Sequence, residues 1–374
     1  MPLITIGKAS QAIGVDIGTR SIRVAEININ KEPPVLNRVG FVKIPEGLVV
    51  DGEISDVKGV ASALKDLWRS GGFEKRDIVV GIANQKVIVR VIDLPLMSEE
   101  ELKGAIRFQA ADYIPMPIEE TIIDFEILKE FEVREGEKMM KVLLVAAQRE
   151  MIQAVVDVFA AAGLVPKSID VKSFALMRSL IPKAKFLPTE TDTEQAESAV
   201  CLLNIGAGVS NMIVLDEGMP YFVRILMFGG NDFTKAIADQ MDLSEEDAEA
   251  LKVVLSEPKP GKKKAAAAQE KEAKAGDILR PKIQQFVREI RRSIDYCLDQ
   301  TGCRPPGKII VSGRGSKVAG LIEDLEKSLQ IKVEDGKPLQ NIKIGRLNLT
   351  EDQIHDVEPS LSVPIGLALK DVKK

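Results

Sequence analysis

The segment Ile13-Gly14-Val15-Asp16-Ile17-Gly18-Thr19-Arg20-Ser21-Ile22-Arg23-Val24 reads as two strands joined by a tight polar turn. Apolar residues alternate at Ile13, Val15 and Ile17 and resume at Ile22 and Val24, the period-two pattern of paired strands. Gly18 admits backbone angles that other residues avoid. Backbone N–H groups and the hydroxyls of Thr19 and Ser21 would face into the turn, a concavity suited to phosphate oxygens. Asp16, ending the first strand, is the candidate to hold Mg2+ through water, as hard oxygen ligands do. Alone, the segment also fits an ordinary hairpin with a glycine turn. A second copy changes the reading. Val200-Cys201-Leu202-Leu203-Asn204-Ile205-Gly206-Ala207-Gly208-Val209-Ser210-Asn211-Met212-Ile213-Val214 repeats strand, polar residue, Ile-Gly, small turn and strand. Asn204 stands where Asp16 stood, and Gly206 where Gly18 stood. Two such hairpins, one in each half, imply a duplicated two-lobed protein with a ligand between the lobes.

The bulk properties agree. A chain of 374 residues with 45% hydrophobic content can bury two cores. A net charge of -5 and 4% aromatic residues argue against a nucleic-acid partner. Three cysteines, Cys201, Cys297 and Cys303, are too few and oddly numbered for a disulfide framework. His355 stands alone, which excludes a multi-histidine metal site and removes the usual general base for a Ser or Cys nucleophile. The start of the chain lacks a basic region followed by a long apolar run, and no stretch approaches the roughly 20 apolar residues that span a bilayer. A cytoplasmic, soluble protein without a transmembrane segment is expected.

Taken in order, the first lobe spans 1–182. A helix from Asp56 to Ser70 carries Val57, Val60, Leu64, Leu67 and Trp68 on one face and ends at Gly71-Gly72. Ser98 with Glu101 forms a capping box opening a helix that stops at Ile114-Pro115-Met116-Pro117. Roughly 85–170 reads as a small subdomain inserted in this lobe. Its proline segments are either plain helix punctuation or the rim of a groove for a partner peptide. The polar stretch 182–196 looks like the crossover to a second lobe, 183–374. There Gly229-Gly230 precede a helix, a natural anion site. Glu249 and Lys252 sit one turn apart on another helix, a spacing that by itself also fits a solvated ion pair. The stretch 257–276, with a lysine run and four alanines, reads as a disordered or partly helical loop. The strand Lys308–Val311 runs into Ser312-Gly313-Arg314-Gly315-Ser316 and a helix, a third nucleotide-type element. The terminal apolar helix Ser362–Leu369 is expected to close the second lobe.

This ordered set resembles the actin-like ATPase superfamily, an α/β fold of two ribonuclease H-like lobes. Within it the chain looks like the PilM family of type IV pilus assembly. The specific points are the Asp16 hairpin, Leu94-Pro95-Leu96-Met97-Ser98-Glu99-Glu100-Glu101-Leu102, Tyr113-Ile114-Pro115-Met116-Pro117-Ile118-Glu119-Glu120 and Leu143-Leu144-Val145-Ala146-Ala147. Gly229-Gly230-Asn231-Asp232-Phe233-Thr234 and Pro364-Ile365-Gly366-Leu367-Ala368 add to these. The resemblance implies ATP with Mg2+ between the lobes. The first phosphate hairpin would be Asp16, Gly18, Thr19, Arg20 and Ser21, and the second Asn204, Gly206, Ala207 and Gly208. Gly229 and Gly230 would approach phosphates. Glu249 and Lys252 would flank ribose and adenine beside Gly313, Arg314 and Gly315. It also implies a partner: the short cytoplasmic N-terminal segment of a PilN-like membrane protein, held in a groove by the insert. That places the chain on the inner face of the membrane, among pilus motor and platform proteins; a homo-oligomer is left open. Two departures bear on turnover. Efficient ATPases of the superfamily commonly have Asp where Asn204 stands, and an amide cannot act as a base. Arg314 replaces a glycine often seen in the adenosine motif. ATP binding with slow or negligible hydrolysis is therefore expected, with no catalytic residue assigned. The alternatives are a filament-forming or membrane-associated FtsA-like homologue, against which the short polar tail counts, and a sugar-kinase-type enzyme, for which no convincing carboxylate base stands out.

Overall fold

The computed structural model describes residues 11–134, 136–181, 198–256, 266–347 and 349–370. Two sheets share one topology, as the paired hairpins require. In the first, β1 (Ala12–Ile17), β2 (Ser21–Asn28) and β3 (Val35–Lys43) make an antiparallel meander. A small ribbon, β4 (Val49–Val50) with β5 (Glu53–Ile54), leads to helix α1 (Val57–Gly71). The Asp56 carboxylate accepts from the N–H groups of Lys58 and Gly59 at 2.9 and 3.0 Å, and Gly72 closes the helix in the left-handed conformation, φ 64°. Strand β6 (Asp77–Ile82) then pairs parallel with β1. Nearly all of β1 and β6 is buried, because helices cover both faces of the sheet.

The insert follows. Strand β7 (Val87–Pro95), helix α2 (Glu99–Ala110) and strands β8 (Thr121–Arg134) and β9 (Glu137–Gln148) form a three-stranded sheet, order β7-β9-β8, with a separate core that runs from Ile92 to Ala146. The Ser98 capping box is present: Ser98 N–H donates to Glu101 Oε2 at 2.8 Å, and Glu101 N–H to Ser98 Oγ at 3.3 Å. The insert ends sooner than 170. Helix α3 (Arg149–Ala162) packs Met151, Val155, Val158 and Phe159 into the first lobe's core, and β10 (Val165–Val171) pairs parallel with β6. Periodicity shows that such elements are amphipathic without showing which core they join. Helix α4 (Lys172–Leu180) completes this part.

In the second lobe β11 (Ala199–Ile205), β12 (Ser210–Asp216) and β13 (Met219–Leu226) again make an antiparallel meander. Helices α5 (Gly230–Met241), α6 (Glu245–Ser256) and α7 (Ala266–Thr301) follow, then β14 (Pro306–Ser312), helix α8 (Leu321–Leu329) and β15 (Lys332–Asp335). The sheet order β13-β12-β11-β14-β15 mirrors β3-β2-β1-β6-β10, with the fourth and fifth strands parallel in both. Helix α7 begins at Ala266, so 266–276 is helical rather than loop; 257–265 lie outside the described residues. Alanine, glutamate and lysine are strong helix formers, and Ala275 is fully buried.

The C-terminal part does not close the second lobe. Strand β16 (Lys343–Ile344) pairs parallel with β3; helix α9 (Glu351–Val357) follows, and α10 (Ser362–Ala368) packs on β1, β2 and α4 of the first lobe. Two glycines permit this. A Cβ on Gly14 would stand 2.0 Å from Pro364 O, and one on Gly366 would stand 1.8 Å from Ala175 O. The lobes meet across α4, whose Ala175, Leu176 and Met177 share one apolar core with Leu202, Ile213 and Ile310 of the second sheet.

Candidate functional site

In the first hairpin Gly18 N–H donates to Ser21 O at 2.9 Å, closing the turn. Asp16 is buried. Its Oδ1 lies 2.7 Å from Lys172 Nζ and its Oδ2 lies 3.1 Å from Arg23 Nη1. Lys172 Nζ also donates to Ile17 O at 2.6 Å. Burial alone would push the Asp16 carboxyl up, but the Lys172 and Arg23 charges outweigh it and hold the group below its ordinary value. The stem of Lys172 passes Gly81, where a Cβ would stand 2.9 Å from Lys172 Cγ. Both oxygens of the residue expected to hold Mg2+ are thus already against cations. A magnesium ion held by Asp16 does not fit this arrangement. Among the described residues no three or more His, Cys, Asp or Glu side chains form a metal-ligand cluster.

The second hairpin closes with Gly206 N–H donating to Val209 O at 3.0 Å. Its turn meets the first: a Cβ on Gly208 would stand 2.6 Å from Thr19 Oγ1. The Gly229-Gly230 helix start packs onto this hairpin. Gly230 N–H donates to Gly206 O and Asn231 N–H to Ala207 O, both at 2.8 Å. Of the two glycine donors expected to approach phosphates, Gly230 N–H is thus occupied by a backbone carbonyl, and Gly229 N–H donates to Asp232 Oδ2 at 2.8 Å. Asn204 Nδ2 donates to Ser312 Oγ at 2.9 Å, and Gly313 lies against Ile205 O and Gly315 against the Ile205 side chain. The third glycine turn therefore abuts the second hairpin.

Of the pair Glu249 and Lys252, the carboxylate is exposed and the ammonium is not. Lys252 is 7% exposed, and its Nζ donates to Gly230 O at 3.0 Å, Thr234 Oγ1 at 2.6 Å and Glu249 Oε2 at 2.6 Å. Burial, aided by the nearby Arg20 and Arg314 charges, holds the Lys252 ammonium below its usual range despite Glu249. Burial works to raise the Glu249 carboxyl, and Lys252 beside it, with Thr234 and Arg314, brings it down. Arg20 reaches across the lobes: its guanidinium meets Glu245 Oε2 at 2.5 Å, Asn231 Oδ1 at 3.4 Å and, within its own lobe, Glu46 Oε2 at 3.2 Å. The residues singled out for the nucleotide thus lie at the ends of β1, β11 and β14, at the start of α5 and within α6. Lys172, Arg23, Asn231 and Glu245 were missed. Arg23 was within reach of a sequence argument, because a charge between the apolar Ile22 and Val24 of a strand needs a partner; Lys172 carried no local signal.

The family model described as type IV pilus assembly protein PilM matches residues 14–372. The chain belongs to the PilM family. A solved structure entitled PilM-PilN type IV pilus biogenesis complex is 28% identical, covers 98% of this chain and 100% of its own, and superposes with a TM-score of 0.82. The cell division protein FtsA of Streptococcus pneumoniae serotype 2 (strain D39) is 21% identical over 86% of this chain and 74% of its own length. MreB5 of Spiroplasma citri, solved bound to AMPPNP, is 11% identical over 96% of this chain and 95% of its own, with a TM-score of 0.53, a likeness of fold alone. The PilM-family chain therefore has the actin-like architecture that its duplicated hairpins implied. Among the described residues no helix is long and apolar enough to cross a membrane.

Proposed function

We propose that this PilM-family chain is a nucleotide-holding scaffold of type IV pilus assembly that ties cytoplasmic components to the inner-membrane platform through a PilN-like protein. The observation that carries the nucleotide half is the meeting of both hairpins beside Arg20, Lys252 and Arg314. A polyanion finds three cations there, Arg20 and Lys252 held by carboxylates and Arg314 exposed, and ATP fits that charge better than any neutral ligand. The hairpin residues Gly18, Thr19, Ser21, Gly206, Ala207 and Gly208 would flank the phosphates, with Gly229 and Gly230 behind them. Glu249, Lys252, Gly313, Arg314 and Gly315 would bound the nucleoside. Turnover would be slow. A general base needs a pKa near the working pH. Asn204 is an amide, and Asp16 is held below its ordinary value by two cations.

For the partner half, a cavity of about 190 Å³ lies at the root of the insert. Val49, Ile54, Met151 and Val155 give it apolar walls, Lys86, Glu53 and Glu150 give it polar ones, and Ile17, Gly81 and Lys172 bound it on the side of the first hairpin. An amphipathic peptide segment suits that lining. The protein would then sit at the inner face of the membrane by attachment. Calorimetric titration of the full chain with ATP, and separately with a peptide of the PilN-like protein's cytoplasmic N-terminal segment, tests both halves. Saturable binding of each is expected. Absence of both, with the protein folded, would overturn the reading.

A further inference from the structure

We infer that the chain takes its nucleotide polyphosphate without a divalent cation, because the Lys172 ammonium stands against Asp16 where a hydrated magnesium ion would be held. The inference rests on the nucleotide reading above and concerns how that site balances charge.

Magnesium at nucleotide sites is bound by one or two carboxylates together with phosphate oxygens and water. Here the first hairpin offers one carboxylate. Its two oxygens face Lys172 at 2.7 Å and Arg23 at 3.1 Å, and its side chain is 4% exposed. One negative charge between two positive ones leaves the trio positive, which repels a dication and attracts a phosphate. The ammonium is built in rather than resting there. It has a second anchor in Ile17 O at 2.6 Å, and the bare Gly81 leaves the passage that its stem occupies. Arg23 is fixed likewise, with its Nε donating to Ser21 Oγ at 3.1 Å. The second hairpin does not compensate, because Asn204 is neutral and its amide donates to Ser312. A lysine is a compact point charge, so its ammonium can bond the Ile17 carbonyl while its charge stands against the Asp16 carboxylate.

The experiment is ATP titrated by calorimetry into the full chain, once in excess EDTA and once in magnesium. The two dissociation constants are expected to agree within about threefold; an affinity more than about tenfold weaker in EDTA would overturn the inference while leaving the nucleotide reading standing. No binding in either buffer would overturn both. In Lys172→Gln the freed Asp16 should make binding magnesium-dependent, with affinity in EDTA falling about tenfold and magnesium restoring it. Asp16→Asn keeps the test decisive if Lys172→Gln does not fold. Loss of a metal-holding carboxylate would weaken ATP in magnesium and overturn the inference. Loss of a carboxylate that only neutralises two cations should tighten ATP about threefold in either buffer.

Discussion

Gly366→Ala should lower stability although alanine is the better helix former. Two effects compete. Within a helix, alanine gains up to about 1 kcal/mol over glycine through backbone entropy. At Gly366 the new methyl would stand 1.8 Å from Ala175 O, 2.4 Å from Ala175 C and 2.8 Å from Ala175 Cα, where ordinary contact starts at 3.4 Å. Helices α10 and α4 must part by about 1.6 Å, the difference between 3.4 and 1.8 Å, because every atom met is buried backbone. Parting them strains the Arg178 Nε bond to Gly366 O at 2.7 Å and loosens Val363 and Leu367 in the first core. Overpacking of this kind costs about 1–3 kcal/mol, and backbone against backbone belongs at the upper end, so a net loss of about 2 kcal/mol is expected. Gly104→Ala is the control. Gly104 lies inside α2 with nothing within 4 Å of its Cβ position, so the same substitution should stabilise by about 0.5–1 kcal/mol. Urea unfolding followed by fluorescence of Trp68 reads both. A Gly366→Ala chain as stable as the parent would refute the packing argument, since propensity would then have decided both sites.

Four further outcomes are expected. In Arg20→Ala the lost ion pairs are a third to two-thirds exposed, so stability should fall by less than about 1 kcal/mol, while ATP affinity should drop about tenfold by calorimetry. Asp16, whose carboxyl is lowered in the fold, stabilises fully above its ordinary value of 3.8, and this contribution disappears as pH falls through the lower folded value; acid unfolding of Asp16→Asn should therefore be flatter below pH 3.8. The three cysteines are buried, with burial pushing Cys201 up to about 12, so a thiol reagent at pH 8 should find none until denaturant exposes all three. Asp56→Ala should cost about 1 kcal/mol in urea, the loss of an N-cap that bonds two backbone donors.

The duplicated hairpins were legible because strand alternation and a glycine turn are local patterns, and each announced one half of the fold. The family block from Leu94 to Glu120 was legible for the same reason, since its capping box is set by residues three apart. What escaped was decided by tertiary contact. Lys172 lies 155 residues beyond Ile17, whose carbonyl it binds, and a lysine at a helix start looks like a surface residue until the sheet closes over it. The destination of α10 hangs on Gly14 and Gly366, which are informative only once their neighbours are known. The start of α7 was misplaced because the composition that suggests disorder, rich in alanine and charge, also favours helix.

The return of the chain to the first lobe gives the molecule a spine. The chain leaves the first lobe after α4 and comes back between β15 and β16. The return passes the end of α4, since a Cβ on Gly336 would stand 2.9 Å from Leu180 Cδ2. Bodies joined by an apolar seam along α4, with the returning chain beside its end, keep one easy freedom: swinging about that seam, as covers swing about a binding. Severing either passage alone would leave the covers joined. A small swing at the spine becomes a larger displacement at the open edge, so any movement of the lobes would be felt most by whatever lies farthest from α4.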